Sequence, residues 1–184
     1  FDPYIHVMLD GRDAAPHDRY LYMDRLKQKI KELGAGRIAS IMGRFYGMDR
    51  DNRWERTKAA YDAMIGLAED TFTDPVDAIQ KAYANGEDDQ YFKPRMCIND
   101  GLPLGAVRDG DAVLFWNFRE DRARQLTKAF VMKDFAFFNR RNYPRDVYFV
   151  TMTGYEENLS AHVVFPPDPV KKSLSETLAD LGKT

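Results

Sequence analysis

Two periods alternate along the chain. Tyr4 to Leu9 is a short apolar run that stops at Asp10-Gly11, a strand followed by a turn. Asp18 stands where it can cap a helix carrying Tyr20, Leu21, Met23, Leu26, Ile30 and Leu33 at helical spacing, and Gly34 and Gly36 stop it. Arg37 to Met42 reads as a second strand. Asp51 or Asn52 opens a long helix through Trp54, Tyr61, Met64, Ile65 and Leu67. Thr73 or Asp74 opens another, with Pro75 in its first turn. Residues 85–95 are polar and read as an exposed loop, followed by a short edge strand from Met96 to Ile98. Ala112 to Phe118 is almost unbroken in apolar residues, the mark of a strand covered on both faces. A helix over 119–130, a strand from Val147 to Thr151 and a last helix from Lys171 to Leu181 complete the pattern. Strands that alternate with helices of about ten residues or more imply right-handed crossovers. The expected fold is one α/β domain over 1–184, a three-layer α/β/α sandwich with a mainly parallel sheet.

Composition narrows the class. With 44% hydrophobic and 30% charged residues the chain of 184 is neither disordered nor a disulfide-stapled miniprotein. No apolar run approaches the roughly 20 residues that span a bilayer. No basic-then-apolar leader opens the chain, and the one cysteine, Cys97, has no internal partner, so a cytoplasmic protein is expected. The net charge of −2 gives no bulk attraction for nucleic acid or anionic lipid, and neither is expected as a partner. The chain starts at Phe1 and stops just past a helical pattern, as a piece of a longer polypeptide would.

Inside that near-neutral total the basic residues are 16 Arg and 11 Lys. Guanidinium is a planar fork that fits carboxylate and phosphate oxygens. In open parallel sheets ligands bind beyond the carboxyl ends of the strands. The first strand empties into Asp10-Gly11-Arg12-Asp13, the second into Gly43-Arg44-Phe45-Tyr46-Gly47-Met48-Asp49-Arg50, and the long apolar strand into Arg119-Glu120-Asp121-Arg122. Arg119 and Arg122 share one face of a helix start, where free N–H groups add to the positive field. Asp13, Asp49 and Asp121 offset part of the mutual repulsion, and a small dianion would offset more. Those positions therefore outline a pocket for a compact phosphate or carboxylate compound. Asp13 is either a general base for a substrate hydroxyl or merely the partner of Arg12 or a turn cap. His6, His17 and His162 lack metal-ligand spacing, and no phosphate loop, dinucleotide fingerprint or activated nucleophile is present.

The motifs LDGRD at 9–13, IMGRFYGMDRDNRWER at 41–56 and FWNFREDRARQL at 115–126 resemble the cofactor-independent (2,3-bisphosphoglycerate-independent) phosphoglycerate mutases. Met152-Thr153-Gly154-Tyr155 and KKSLSETLADLG at 171–182 extend the likeness over nearly the whole chain. The resemblance implies a monomeric two-domain parent that interconverts 3-phosphoglycerate and 2-phosphoglycerate through a phosphoserine. Its phosphatase-like domain would carry that serine and two manganese or similar divalent ions. This chain would be most of the inserted substrate-binding domain, inactive alone. On the same ground Arg12 and Asp13 meet the glycerate, with Asp13 the catalytic residue that exchanges protons with its hydroxyls. Arg44, Arg50, Arg119 and Arg122 would hold the remaining substrate oxygens. The family's substrate-binding His and Lys, its metal ligands and its serine have no counterpart here. A non-catalytic anion sensor using the same pocket is the rival reading.

Overall fold

The computed structural model describes residues 2–166 and 171–183, and in the first helix it leaves the side chains of Arg19, Tyr20 and Leu21 undescribed. The expectations for Tyr20 and Leu21 therefore lie outside the described residues. In chain order the elements are β1 (Tyr4–Leu9), α1 (Arg19–Leu33), β2 (Arg37–Gly43), the single turn α2 (Arg44–Gly47), α3 (Trp54–Met64), β3 (Thr71–Phe72) and α4 (Pro75–Ala84). They continue with β4 (Arg95–Asn99), β5 (Leu102–Pro103), β6 (Ala112–Phe115), α5 (Glu120–Val131), β7 (Tyr148–Thr151), β8 (His162–Val163) and α6 (Leu174–Asp180).

The strands form two hydrogen-bonded sheets rather than the one expected. The first runs β1-β2-β4-β3 with β5 on β4, and the second runs β6-β7-β8. β1 lies parallel to β2, so that Leu9 pairs with Gly43 and both strands release their chains at one edge. The second sheet is parallel throughout. β4, expected at an edge, sits between β2 and β3, antiparallel to β2, and β5 is antiparallel to β4. The cause is the path of residues 85–94. They cross the edge where β2 ends, with Gly43 N donating to Phe92 O at 2.8 Å and Phe45 N to Gln90 O at 3.0 Å. A chain that enters a sheet at the edge where its neighbour leaves must run the other way.

This crossing segment is no solvated excursion. Asp89 and Phe92 are buried, and Tyr83 Oη donates to the Asp89 carboxylate. Two glycines make the close approach possible. A Cβ on Gly43 would lie 2.3 Å from Gln90 O, and one on Gly11, itself at φ +64°, would lie 2.6 Å from Gln90 N.

Helices cover the first sheet on both sides. Met23, Ile79 and Ala82 from α1 and α4 pack with Leu9, Ile38, Ile41, Phe72 and Phe92. On the other side Ala60, Tyr61 and Met64 of α3 and Leu126, Ala129 and Phe130 of α5 meet Met42, Met8 and Phe149. α3 and α5 thus cover a face common to both sheets. Among the described residues the opposite face of the second sheet is left bare: β6 alternates in burial, with Leu114 52% exposed and Trp116 beyond it 72% exposed. The run 112–118 is therefore a half-covered strand that ends at Phe115. Asp74 caps α4 by accepting from Val76 N at 2.8 Å and Asp77 N at 3.0 Å. Ser173 and Glu176 form a capping box on α6, whose Leu174 is exposed, as is Leu181 just past its end.

Candidate functional site

The residues that leave β1, β2 and β6 converge. Arg44, 5% exposed, opens the turn after β2 and donates to Asp10 and, at 3.0 Å, to Asp13 Oδ2. Asp10 Oδ2 in turn accepts Ala14 N at 2.8 Å and Asp13 N at 3.1 Å, which folds the chain after β1 into a turn that presents Asp13 to solvent. The hydrogen bond and charge of Arg44 hold the Asp13 carboxyl below the usual range, and the nearby charges of Arg119 and Arg12 add to this. Arg12 is exposed and makes no ion pair with Asp13.

The α5 side supplies the rest. Arg119 occupies the N-cap position and its Nε donates to Asp121 Oδ1 at 3.0 Å. Asp121 also receives Arg50, so one carboxylate ties the β2 segment to the helix start. Burial pushes the Asp121 carboxyl up, but these guanidinium contacts outweigh it and leave it below the usual range. Arg122 Nη1 donates to Met48 O at 3.2 Å, while its Nε is buried with no partner. Burial first, then the charges of Arg44, Arg50 and Arg119, weaken the hold of Arg122 on its proton. Five arginines therefore share one field with three carboxylates, and an orphaned guanidinium N–H calls for an anion.

A hollow of about 430 Å³ adjoins the site, lined among others by Met8, Leu9, Asp10, Asp13, Met23 and Leu26. It meets the site at Asp10 and Asp13, and none of the arginines lines it. The guanidinium cluster forms an open rim rather than a closed cage. Among the described residues no group of three or more His, Cys, Asp or Glu could hold a metal ion. Among the described residues no helix is long and apolar enough to cross a membrane.

Residues 2–157 match the family model described as BPG-independent PGAM N-terminus (iPGM_N). The chain belongs to the cofactor-independent phosphoglycerate mutase family. It is similar to the 2,3-bisphosphoglycerate-independent phosphoglycerate mutases of Listeria monocytogenes serotype 4b, at 43% identity over 180 residues, and Pseudomonas aeruginosa, at 46% over 182. These matches cover 97% and 98% of this chain and 35% of each relative. The chain thus spans about a third of the length of the curated relatives it matches. Among solved structures, the phosphoglycerate mutase of Leishmania mexicana at low cobalt concentration superposes with a TM-score of 0.81 at 29% identity. That match covers 97% of this chain and 34% of the other.

Within this phosphoglycerate mutase family chain, Arg12, Asp13 and Arg44 follow strands of the first sheet and Arg119 and Arg122 follow β6 of the second, and Arg44, Arg50, Arg119 and Arg122 nevertheless lie in one electrostatic neighbourhood. Two of the three compensating carboxylates fall where expected. Asp49 does not: it is buried and pairs with Arg56 at 3.2 Å instead of a rim arginine. Asp13 answers Arg44 and not its neighbour Arg12. The sequence pattern does not single out Asp10, which reads as a turn residue, or Gln125, which reads as one more polar position on a helix. The signal that marks Asp10 is the Asp-x-x-Asp spacing after a strand, which suits an Asx turn.

Proposed function

We propose that this chain is the substrate-binding, phosphotransferase part of a 2,3-bisphosphoglycerate-independent phosphoglycerate mutase that interconverts 3-phosphoglycerate and 2-phosphoglycerate. The names of its relatives support this, and the single observation that carries it is the gathering of Arg44, Arg119 and Arg12 near the exposed carboxylate of Asp13, with Arg50 and Arg122 in the same field as Arg44 and Arg119. Phosphoglycerate carries a carboxylate at one end and a phosphate at the other, two anions that need separate guanidinium partners. On this reading Arg119 and Arg122 take one, with the unpartnered Nε of Arg122 ready to donate, while Arg12, Arg44 and Arg50 hold the other. Asp13 stands as a carboxylate at neutral pH and accepts a proton from a glycerate hydroxyl. An anion drawn onto Arg44 takes charge away from Asp13 and raises its proton affinity, as a base in the reaction requires.

The phosphoserine and its two manganese or similar divalent ions belong, on this reading, to the two-thirds of the relatives' length outside the match. The residues described here do not form a metal site, and no step assigned to them passes through one. The same reading carries a cytoplasmic, monomeric parent working in glycolysis.

The test uses the full-length protein supplied with manganese. It interconverts the two phosphoglycerates, whereas the 184-residue chain alone does not turn them over. Arg44→Ala and Arg119→Ala each remove a charge-assisted contact typically worth about 1.5–3 kcal/mol, which lowers kcat/KM by roughly ten- to a hundredfold. Near-normal kinetics in both variants would remove the roles given to these arginines. Anion binding by a full-length protein devoid of mutase activity would instead favour the sensor.

A further inference from the structure

Behind the rim lies a second, buried polar cluster. Gln125 is one turn past Arg122 on α5 and almost fully enclosed. Its Nε2 donates to Asp49 Oδ2 at 2.9 Å and to Thr57 Oγ1 at 2.9 Å, and its Oε1 accepts Asn52 N at 2.9 Å. Asp49 Oδ2 also accepts Asp51 N at 3.1 Å and Arg53 N at 3.0 Å, and Arg56 faces its other oxygen at 3.2 Å. Asn52 adopts φ 57° inside this loop. Both amide donors and the carbonyl of Gln125 are engaged, so the side chain has one orientation and one position relative to the 49–53 backbone.

We propose that Asp49 and Gln125 form a positioning clamp that fixes the spacing between the arginines leaving β2 and those opening α5. The inference rests on the phosphoglycerate reading of the rim. Beside the apolar packing of α3 on α5, two other polar contacts among the described residues join these segments, Arg50 with Asp121 and Arg122 with Met48 O, and both use guanidinium groups of the rim itself. When those groups turn to an incoming dianion, their cross-links are surrendered. The Asp49–Gln125 contact uses no rim arginine and persists. It keeps the two halves of the rim at one separation through binding, and so selects an anion whose charged ends have that span.

Three variants of the full-length protein test this. Gln125→Met keeps the volume and deletes all three hydrogen bonds. It raises KM for 3-phosphoglycerate about tenfold while kcat stays within about threefold, since ground state and transition state lose the same support. Amide exchange at 49–53 quickens, and exchange in β4 does not. Ile79→Val, a buried change in α4 within the core cluster on the other side of the first sheet, leaves KM alone. In Gln125→Glu the new carboxyl faces Asp49 and, beyond it, Arg56. Its ionised form repels Asp49, whereas its protonated form donates to Asp49 and accepts Asn52 N as the amide does. The KM ratio of Gln125→Glu to the unsubstituted protein therefore falls toward one as the pH is lowered. An unchanged KM in Gln125→Met, an equal rise in Ile79→Val, or a pH-independent ratio overturns the clamp. If Gln125→Met does not fold, the pH ratio decides. If the unsubstituted protein turns over no phosphoglycerate, the mutase reading fails, and the clamp is judged by exchange alone: unaltered protection at 49–53 rejects it.

Discussion

His6 shows how a single side chain couples this fold to pH. Its Nδ1 lies 2.8 Å from Ser40 Oγ across the β1–β2 pair. Burial pushes its pKa down to about 4 from the ordinary 6.5, against a smaller opposing pull from the Gly105 backbone. Between those values the unfolded chain binds a proton that the folded one refuses, so stability rises with pH across the window and is lost as pH falls through it. The melting temperature is expected to drop as pH goes from 6.5 to 4, and His6→Gln to flatten that part of the curve. Parallel curves for the two proteins would shift the blame to other groups. At this scale the arginines were legible, because guanidinium after a strand is a chemical signal that needs no partner. Gln125 was not, and Asp49 reads as an offset to the rim arginines rather than as a buried partner. Their pairing emerges only when the fold places them 2.9 Å apart, 76 positions distant in the chain.

Among the elements, β1, β2, α4 and α5 could be placed from period, caps and Pro75 alone. Direction and sheet membership could not. A short apolar run such as Met96 to Ile98 carries no mark of which way it runs. Its orientation follows from residues 89–92 lying over the ends of β1 and β2, and that path depends on Gly11 and Gly43 having no Cβ. Likewise Phe92 reads as a loop residue until Ile79 and Ile41 enclose it. Because Gly43 has ordinary φ, a substitution there fails through contact with Gln90 O rather than through backbone strain. Gly43→Ala should lower stability by about 1–3 kcal/mol, the usual range for overpacking, in a denaturant titration. It should also weaken anion binding, since Arg44 is the next residue. Wild-type stability would mean that the crossing segment gives way easily.

Over the whole molecule the rim is an electrostatic expense carried by the empty state. Partly buried at the rim, and with Arg44, Arg50 and Arg119 close by, Arg122 holds its proton less tightly than a free guanidinium. A dianion that binds only the folded chain relieves this. At a hundred times its Kd, 3-phosphoglycerate should stabilise the protein by about 2.7 kcal/mol, seen as a rise in Tm, and Arg119→Ala with Arg122→Ala should abolish the rise. A rise of equal size in that double variant would place the ligand elsewhere. The bare side of β6 has a different consequence. Trp116 stands in water beside Leu114, whereas Trp54 is stacked on Phe137 with ring centroids 3.8 Å apart. The two indoles therefore sit in unlike surroundings, and the fluorescence of Trp116 is a built-in dye for that bare surface, reddened while solvent wets it and bluer once anything oily settles there.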